Sequence, residues 1–401
     1  PGVHGGIALP FPGSASQLQV LLGGQTAAPG TATGFTGSPT AVAAGAPVAV
    51  LVNAVDANWN VVPTANPTIT YATTDLNGTV QASDPLEGGT MLSQATLRTK
   101  GSWTVSVTTS SGSPSGTYAS ATVTVNAGTV VRLQVLMPGD VAAPGTPSGL
   151  TGSPTDRTAG AAFDVTVNAT DAYWNVVTSA APTIGFSSTD ANATLPTTGL
   201  TLVSGTKTFT NDVTFKSASQ YQTVTATRVS GAPSLLPDTS GLAYVNPGSA
   251  SKLQVLLPGE SAAPGTSTGK TGTPVTTSSA GDIVRATVNA VDDNWNLVSS
   301  VTHTIAITSS DASATLPPSA ALVGGTQRYS VIFNTAQSNP PGWTATATDQ
   351  SGSPLTSGTS ASIAIAAADG QGAMVLTPAT VVAGSSGNAL AFTFTVPTGG
   401  F

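Results

Sequence analysis

Val52-Asn53-Ala54-Val55-Asp56-Ala57-Asn58-Trp59-Asn60 is the stretch on which the rest of the sequence turns. It returns as Val167-Asn168-Ala169-Thr170-Asp171-Ala172-Tyr173-Trp174-Asn175 and as Val288-Asn289-Ala290-Val291-Asp292-Asp293-Asn294-Trp295-Asn296. In each copy an alternating run feeds an Asp/Asn cluster, the pattern of a half-buried strand entering a turn. Flanking segments recur in step. Leu18-Gln19-Val20-Leu21-Leu22 matches Leu133-Gln134-Val135-Leu136-Met137 and Leu253-Gln254-Val255-Leu256-Leu257. Ala-Ala-Pro-Gly-Thr follows at 27–31, 142–146 and 262–266. A second acidic position, Asp75, Asp190 and Asp311, keeps a constant distance from the first. The spacing far exceeds the roughly 20–45 residues of a solenoid rung, so each copy is a whole domain.

Within the first copy the pattern predicts a strand at 17–22, then a long Gly/Pro/Thr segment holding a short edge strand. Further strands are predicted at 48–55 and 68–73, a hairpin of 93–99 with 103–109 around Lys100-Gly101-Ser102, and a last strand at 119–125. About seven short strands with regular turn signals read as an all-β, Greek-key, immunoglobulin-like sandwich. The fold expected is an elongated array of such sandwiches: repeats at 16–128, 129–248 and 249–369. They are preceded by an orphan strand and linker at 1–15 and followed by the opening strands of an incomplete β domain at 370–401.

Composition agrees and excludes several classes. Charged residues are only 7% and hydrophobic residues 39%, with 44 Gly and 29 Pro, which suits strands and turns rather than helices. Eleven Lys and Arg against eighteen Asp and Glu form no basic stripe, which argues against a nucleic-acid partner. No apolar run reaches the roughly 18 residues of a membrane span. The absence of cysteine removes disulfides and thiolate metal sites.

The ends carry their own signal. Residues 6–16 align with 241–251, the last strand of the second repeat and its linker, so the N-terminus reads as the closing strand of a domain whose body is missing. Residues 373–377 and 389–396 read as opening strands of a further domain. With Pro1 in place of an initiator Met, the sequence reads as a processed chain or a window of a longer one. An unfinished sandwich exposes unpaired backbone groups that recruit partners. One expectation is therefore head-to-tail homopolymerisation by β-strand complementation, with Ile7, Ala8, Leu9, Phe11, Met374, Leu376, Leu390, Phe392, Phe394 and Val396 as assembly residues. The other expectation is an excerpt of a long surface protein.

The runs at 52–62, Ser-Ser-Asp-Ala-x-Ala-Thr-Leu-Pro at 309–317 and Thr-x-Thr-Ala-Thr-Asp at 344–349 resemble bacterial immunoglobulin-like, invasin-type repeats. The resemblance covers roughly residues 16–369 and implies an exported structural or adhesive protein at the cell surface or outside the cell. The turn in such repeats commonly reads Asp-x-x-Gly-Asn; Trp59, Trp174 and Trp295 depart from it at the Gly.

Candidate chemistry is sparse. His4 and His303 do not recur between copies, and no Ser or Thr has a base at motif spacing, so no catalytic residue is expected. Asp56, Asn58, Asn60, Asp171, Asn175, Asp292, Asn294 and Asn296 begin like a calcium loop, but positions six and twelve of an EF-hand would fall on Val61 and Pro67. Two readings stay open: a looser calcium site completed by carbonyls and waters, or an Asx turn closed on its own backbone. No other cofactor is implied. The two acidic positions of one repeat should lie at opposite ends of the sandwich, because a strand of roughly 3.3 Å per residue separates them. Trp59, Trp174, Trp295, Trp103, Trp343 and Tyr221 are expected as core aromatics, with glycan stacking the alternative if the rings lie exposed in a row. Lys100 and Lys216 have no counterpart lysine in the third copy, which has Asn334-Thr335, so an isopeptide bond is rejected. Asn-x-Thr sequons at Asn77, Asn168 and Asn192 would serve only in a glycosylating host. The function expected is architectural: a filament or surface-assembly subunit, or else an adhesin stalk stiffened by calcium.

Overall fold

The structure is a computed structural model, describing residues 11–230, 234–275, 278–368, 373–377 and 391–395. Every regular element among them is a strand, and none is a helix able to cross a membrane. In the first repeat one sheet runs Gln17–Leu22, Pro47–Val55, Thr90–Thr96, Thr79–Val80. The facing sheet runs Thr117–Ala119, Val105–Ser111, Thr68–Thr73, Asp84–Pro85. These orders correspond to the ABED and GFC sheets of an immunoglobulin-type sandwich. The second and third repeats keep the pattern around Ala162–Thr170 and Ile283–Val291 on one side, and Thr183–Ser188 and Thr304–Ser309 on the other.

Alternation explains the layers. Val48, Val50, Val52 and Ala54 are buried while their neighbours Ala49 and Leu51 turn outward. Opposite them, Val20 pairs with Val52 and Leu18 with Ala54, and the same register recurs as Val135 with Val167 and Val255 with Val288. Register of this kind is enforced because a one-residue slip would send the whole apolar set into water. Each repeat thus has its own core, drawn from residues between 18 and 125, 133 and 245, and 253 and 365. The middle core is the most aromatic: Phe163 packs on Phe215 at 5.0 Å and Phe209 meets Phe186 edge-on at 4.8 Å.

Two local expectations are corrected. Residues 93–99 and 103–109 do not form a hairpin: Thr90–Thr96 pairs with Pro47–Val55, whereas Val105–Ser111 pairs with Thr68–Thr73 in the other sheet. Leu97 and Val105 both reach the core, so the chain must cross between layers over the intervening residues. The Trp103 indole N–H donates to the Thr99 carbonyl at 2.6 Å and closes that crossing. The last strand is also broken, into Thr117–Ala119 and Val123–Asn126. Ser120 marks the break: its hydroxyl accepts from Val105 N–H and donates to the Ala121 carbonyl, and Ser240 and Ser360 repeat the device.

Ala373–Thr377 pairs antiparallel with Ala391–Thr395, which brings Met374 opposite Phe394 and Leu376 opposite Phe392 in the backbone register. Ile7, Ala8, Leu9, Leu390, Val396 and His4 lie outside the described residues. Phe11 is described and stands in solvent, 95% exposed.

Separate cores predict separate responses. Phe215→Ala should cost about 3–5 kcal/mol in the second repeat and split the calorimetric unfolding of the chain, with that repeat melting earlier. A uniform shift of one transition would show that the repeats unfold as one unit.

Candidate functional site at the joints between repeats

The Asp-x-x-Trp-Asn turn sits at the leading end of each sandwich and does three jobs at once. Its aspartate is the hub. Asp171 Oδ1 accepts from the backbone N–H of Tyr173 and Asn175, and Oδ2 accepts from Gly128 N–H at 2.7 Å; the Asn175 amide donates to both oxygens. Asp292 repeats the set with Asn294, Asn296 and Gly248, and Asp56 with Asn58, Asn60 and Gly13. Gly13, Gly128 and Gly248 belong to the segments that lead into each repeat, so the hub clamps linker to turn.

The calcium candidates Asp56, Asn58, Asn60, Asp171, Asn175, Asp292, Asn294 and Asn296 therefore come together as a self-closed Asx turn. The carboxylate oxygens face N–H donors, whose positive ends a cation would have to displace. No cluster of three His, Cys, Asp or Glu side chains occurs among the described residues.

The second job is to position the tryptophan. Trp59, Trp174 and Trp295 have φ of 64°, 66° and 66°, the left-handed conformation that the Gly of an Asp-x-x-Gly-Asn turn adopts freely. A non-glycine residue there costs on the order of 1–3 kcal/mol unless its surroundings hold it. Here they do. Each indole lies over a glycine, Gly34, Gly149 or Gly269, where an added Cβ would come within 2.2 Å of the ring. The Ala-Ala-Pro-Gly-Thr loop is tied to the same turn, through Gly30 N–H to the Asn58 carbonyl, Gly145 to Tyr173 and Gly265 to Asn294, each at 2.7 Å. Arg132 lies 4.5 Å over Trp174 and Lys252 3.7 Å over Trp295. These three indoles are half-buried lids rather than core residues. Trp103 and Trp343 do pack against their cores. Tyr221, expected in the core, is 61% exposed and rests edge-on against Tyr244, because it faces outward from a short strand at the sheet margin.

A polar relay, buried at its glutamine and opening toward the surface at its threonine, supports the loop from below. Gln134 donates to the Gly149 carbonyl at 2.7 Å and accepts from Asn168 at 2.9 Å; Asn168 in turn accepts from the Thr206 hydroxyl at 2.6 Å. Gln19, Asn53 and Thr90 repeat it, as do Gln254, Asn289 and Thr326. Sequence reasoning missed these residues. The available signal was a glutamine inside the apolar Leu-x-Val-Leu run of all three copies. Of the sequons, Asn168 is a buried member of this relay.

The third job crosses the boundary between repeats. Asn175 Nδ2 donates to the Arg98 carbonyl at 2.8 Å, and Lys100 N–H donates to Asn175 Oδ1 at 2.7 Å. At the next boundary Asn296 takes the Lys216 carbonyl and the Ala218 N–H at 2.8 and 2.7 Å. Both asparagines are at most 2% exposed. The surface they meet is the turn of the second acidic position. Asp75 accepts from Arg98 N–H, Thr99 N–H and the Thr99 hydroxyl, and Asp190 holds Lys216 and Ser217 likewise. The two sequons at these turns add a second bridge: Asn77 Nδ2 donates to the Pro144 carbonyl at 3.2 Å and Asn192 Nδ2 to Pro264 at 3.4 Å. The constant spacing of the two acidic positions is thereby explained. They sit at opposite ends of one sandwich, and across each boundary the trailing turn of one repeat grips the leading turn of the next.

No known family profile and no curated protein matches the sequence. Among solved structures the chain is similar to the Escherichia coli adhesin FdeC, with 15% identity, 88% of this chain and 99% of that one covered, and a TM-score of 0.30. It is similar to Yersinia pseudotuberculosis InvD at 14% identity, covering 84% and 95%, with a TM-score of 0.28. Invasin, described as a bacterial integrin-binding protein, gives 14% identity, coverage of 90% and 61%, and a TM-score of 0.27. This is a chain of immunoglobulin-like repeats. The sheet order carries that assignment, and the likeness to invasin-type proteins is one of fold. In these immunoglobulin-like repeats the chemistry of interest lies at the boundaries.

Asp56, Asp311 and Asp349 are held on the ionised side by their hydrogen bonds, and that sets a pH dependence. The Gly13 N–H, then the Asn60 amide, outweigh the desolvation of Asp56 and lower its pKa from 3.8 to about 2. Asp349 is also held at about 2: burial opposes its ionisation, but N–H donors from Leu355 and Ser351, together with His303, prevail. Asp311 is lowered in the same manner. Carboxyls depressed in the folded state stabilise it above the unfolded pKa, and that stabilisation disappears as pH falls through the folded one. Melting temperature should therefore be level from neutrality down to roughly pH 5 and fall below roughly pH 4. In Asp56→Asn the acid-dependent fall should be shallower, measurable by thermal scans at pH 7 to 2.

Proposed function

We propose that the chain acts mechanically outside the cell, as a stiff segment of a filament or surface assembly. The observation that carries this reading is the double hydrogen bond by which a buried asparagine of one repeat grips backbone of the preceding one, at both boundaries. A linker alone leaves neighbouring domains free to bend, whereas two directional bonds in a site excluded from water fix both tilt and twist. The joint draws on hydrogen bonds rather than long-range charge, so it holds across ionic strengths that screen surface ion pairs. Low charge and abundant hydroxyls suit close packing with neighbours without strong repulsion.

Head-to-tail strand complementation is the finer form of the same reading. Its support is the antiparallel pair of Ala373–Thr377 and Ala391–Thr395, because two paired strands offer edges and are marginal alone. An adhesin stalk is the alternative, with calcium stiffening its joints.

Asn175→Ala together with Asn296→Ala should loosen both boundaries and, because each amide also donates to its turn aspartate, lower the melting temperature of the second and third repeats while their strand content is kept. Small-angle scattering should show a shorter mean length and a broader distribution of interdomain angles than the parent chain. An unchanged profile would remove the stiff-joint reading. Excess chelator should leave the melting temperature of the parent chain unchanged; a drop of several degrees that added calcium reverses would favour the calcium-stiffened stalk.

A further inference from the structure

In the second repeat a side chain caps the outer edge of the first strand. Leu133 N–H donates to the Leu236 carbonyl, and two residues on, Val135 N–H donates to Asp238 Oδ2 at 2.7 Å. Burial raises the Asp238 pKa, whereas the Val135 and Thr239 N–H groups and the Arg132 guanidinium favour its ionised form. The third repeat keeps the register. Leu253 N–H donates to the Thr356 carbonyl, Gly358 pairs with Ala347 as Asp238 does with Ala226, and Lys252 stands where Arg132 does. Gly358, however, brings no carboxylate, and an added Cβ there would fall 2.3 Å from the Leu253 carbonyl oxygen. Val255, the counterpart of Val135, instead lines a cavity of about 240 Å³, together with Trp295 and the hydroxyl-bearing Thr268, Thr356, Ser357 and Thr359. Residues two apart on a strand turn their N–H groups to the same side, so Val255 presents its N–H along the edge that Leu253 uses. Two lysines complete the lining. Lys252 Nζ lies 3.7 Å over the Trp295 ring and donates to the Asp293 carbonyl at 2.9 Å. Lys270 is bound to Glu260 at 2.7 Å.

We propose that this cavity binds the carboxylate of an acidic sugar, one oxygen accepting from Val255 N–H as Asp238 accepts from Val135 and Lys252 supplying the positive charge. The second repeat thus carries in its own chain the group that the third takes from a ligand. Lys252 bears most of the electrostatic attraction, because the charge of Lys270 is balanced by Glu260. An added partner strand fits the edge poorly. Leu253 N–H is given to Thr356 and Leu257 N–H to Glu260, which leaves Val255 alone between them rather than a row of open donors. Hydroxyls beside a cation and an indole suit a polyhydroxylated acid, whose ring hydroxyls exchange hydrogen bonds with Thr and Ser. The cavity is smaller than the roughly 300–1,000 Å³ of a drug-sized ligand site, so it takes one sugar unit of an acidic chain. This gives the array a ligand site on the third repeat, in addition to its mechanical role.

The test is titration of the full chain with glucuronate and with a short oligogalacturonate, followed by amide-resolved NMR. The Val255 amide resonance should move downfield and saturate with both, and the binding should weaken as salt is raised. Glucose, which lacks the carboxylate, should leave that resonance in place. Lys252→Gln should weaken binding by roughly fivefold or more, the worth of a charge-assisted contact. Lys252→Arg, which installs the residue found at this position in the second repeat, should restore it, and melting curves of both variants should match the parent. The proposal is overturned if neither acid moves Val255, if glucose moves it equally, or if a short oligoglutamate peptide binds as tightly as the oligogalacturonate.

Discussion

A buried carboxylate tolerates no vacancy among its hydrogen bonds, and that requirement at the turn aspartate organises everything around it. Four N–H groups converge on Asp171: two from the backbone of its own turn, one from the Asn175 amide that both oxygens share, and one from the linker glycine. Satisfying the charge fixes the path by which the chain arrives, the shape of the turn and the direction of the asparagine side chain. Because Asn175 spends its amide partly on that carboxylate, its carbonyl and remaining N–H are aimed across the boundary at the repeat before it. One electrostatic constraint inside a domain thus becomes a geometric constraint between domains.

The strain at the tryptophan fits the same logic. A left-handed residue is tolerated where its neighbours over-determine it: here a glycine platform and a loop N–H bonded to the turn do so in all three repeats, joined by a cation above the ring at Trp174 and Trp295. The platform is held by a Gln–Asn–Thr relay set within an otherwise apolar layer. Every member of that relay is paired, which is the condition under which buried polar groups specify a structure rather than weaken it.

Much of this could be read from the chain. Copies of one motif gave the number of sandwiches, and alternation in runs such as 48–55 gave the buried face and the pairing partner. The leading and trailing acidic positions were visible as a fixed interval. What escaped was anything that depends on which sheet a strand joins. The stretch from 93 to 109 looks like a hairpin because two alternating runs flank a Lys-Gly-Ser, and only the simultaneous burial of Leu97 and Val105 reveals a crossing between layers. The asparagine that bridges repeats escaped for a related reason: its partners are main-chain atoms, which leave no trace in side-chain identity. Tyr221 shares its place in the repeat with Trp103 and Trp343, but it lies on an open sheet margin, so equivalent position does not bring equivalent burial.

The two boundaries are made by equivalent atoms, from Gly128 and Gly248 in the linkers to Asn175 and Asn296 in the turns. Equivalent contacts impose equal rotation and equal rise at each step, so successive sandwiches climb a common screw. Adding or deleting whole units would change reach without altering pitch, leaving evolution free to tune length alone.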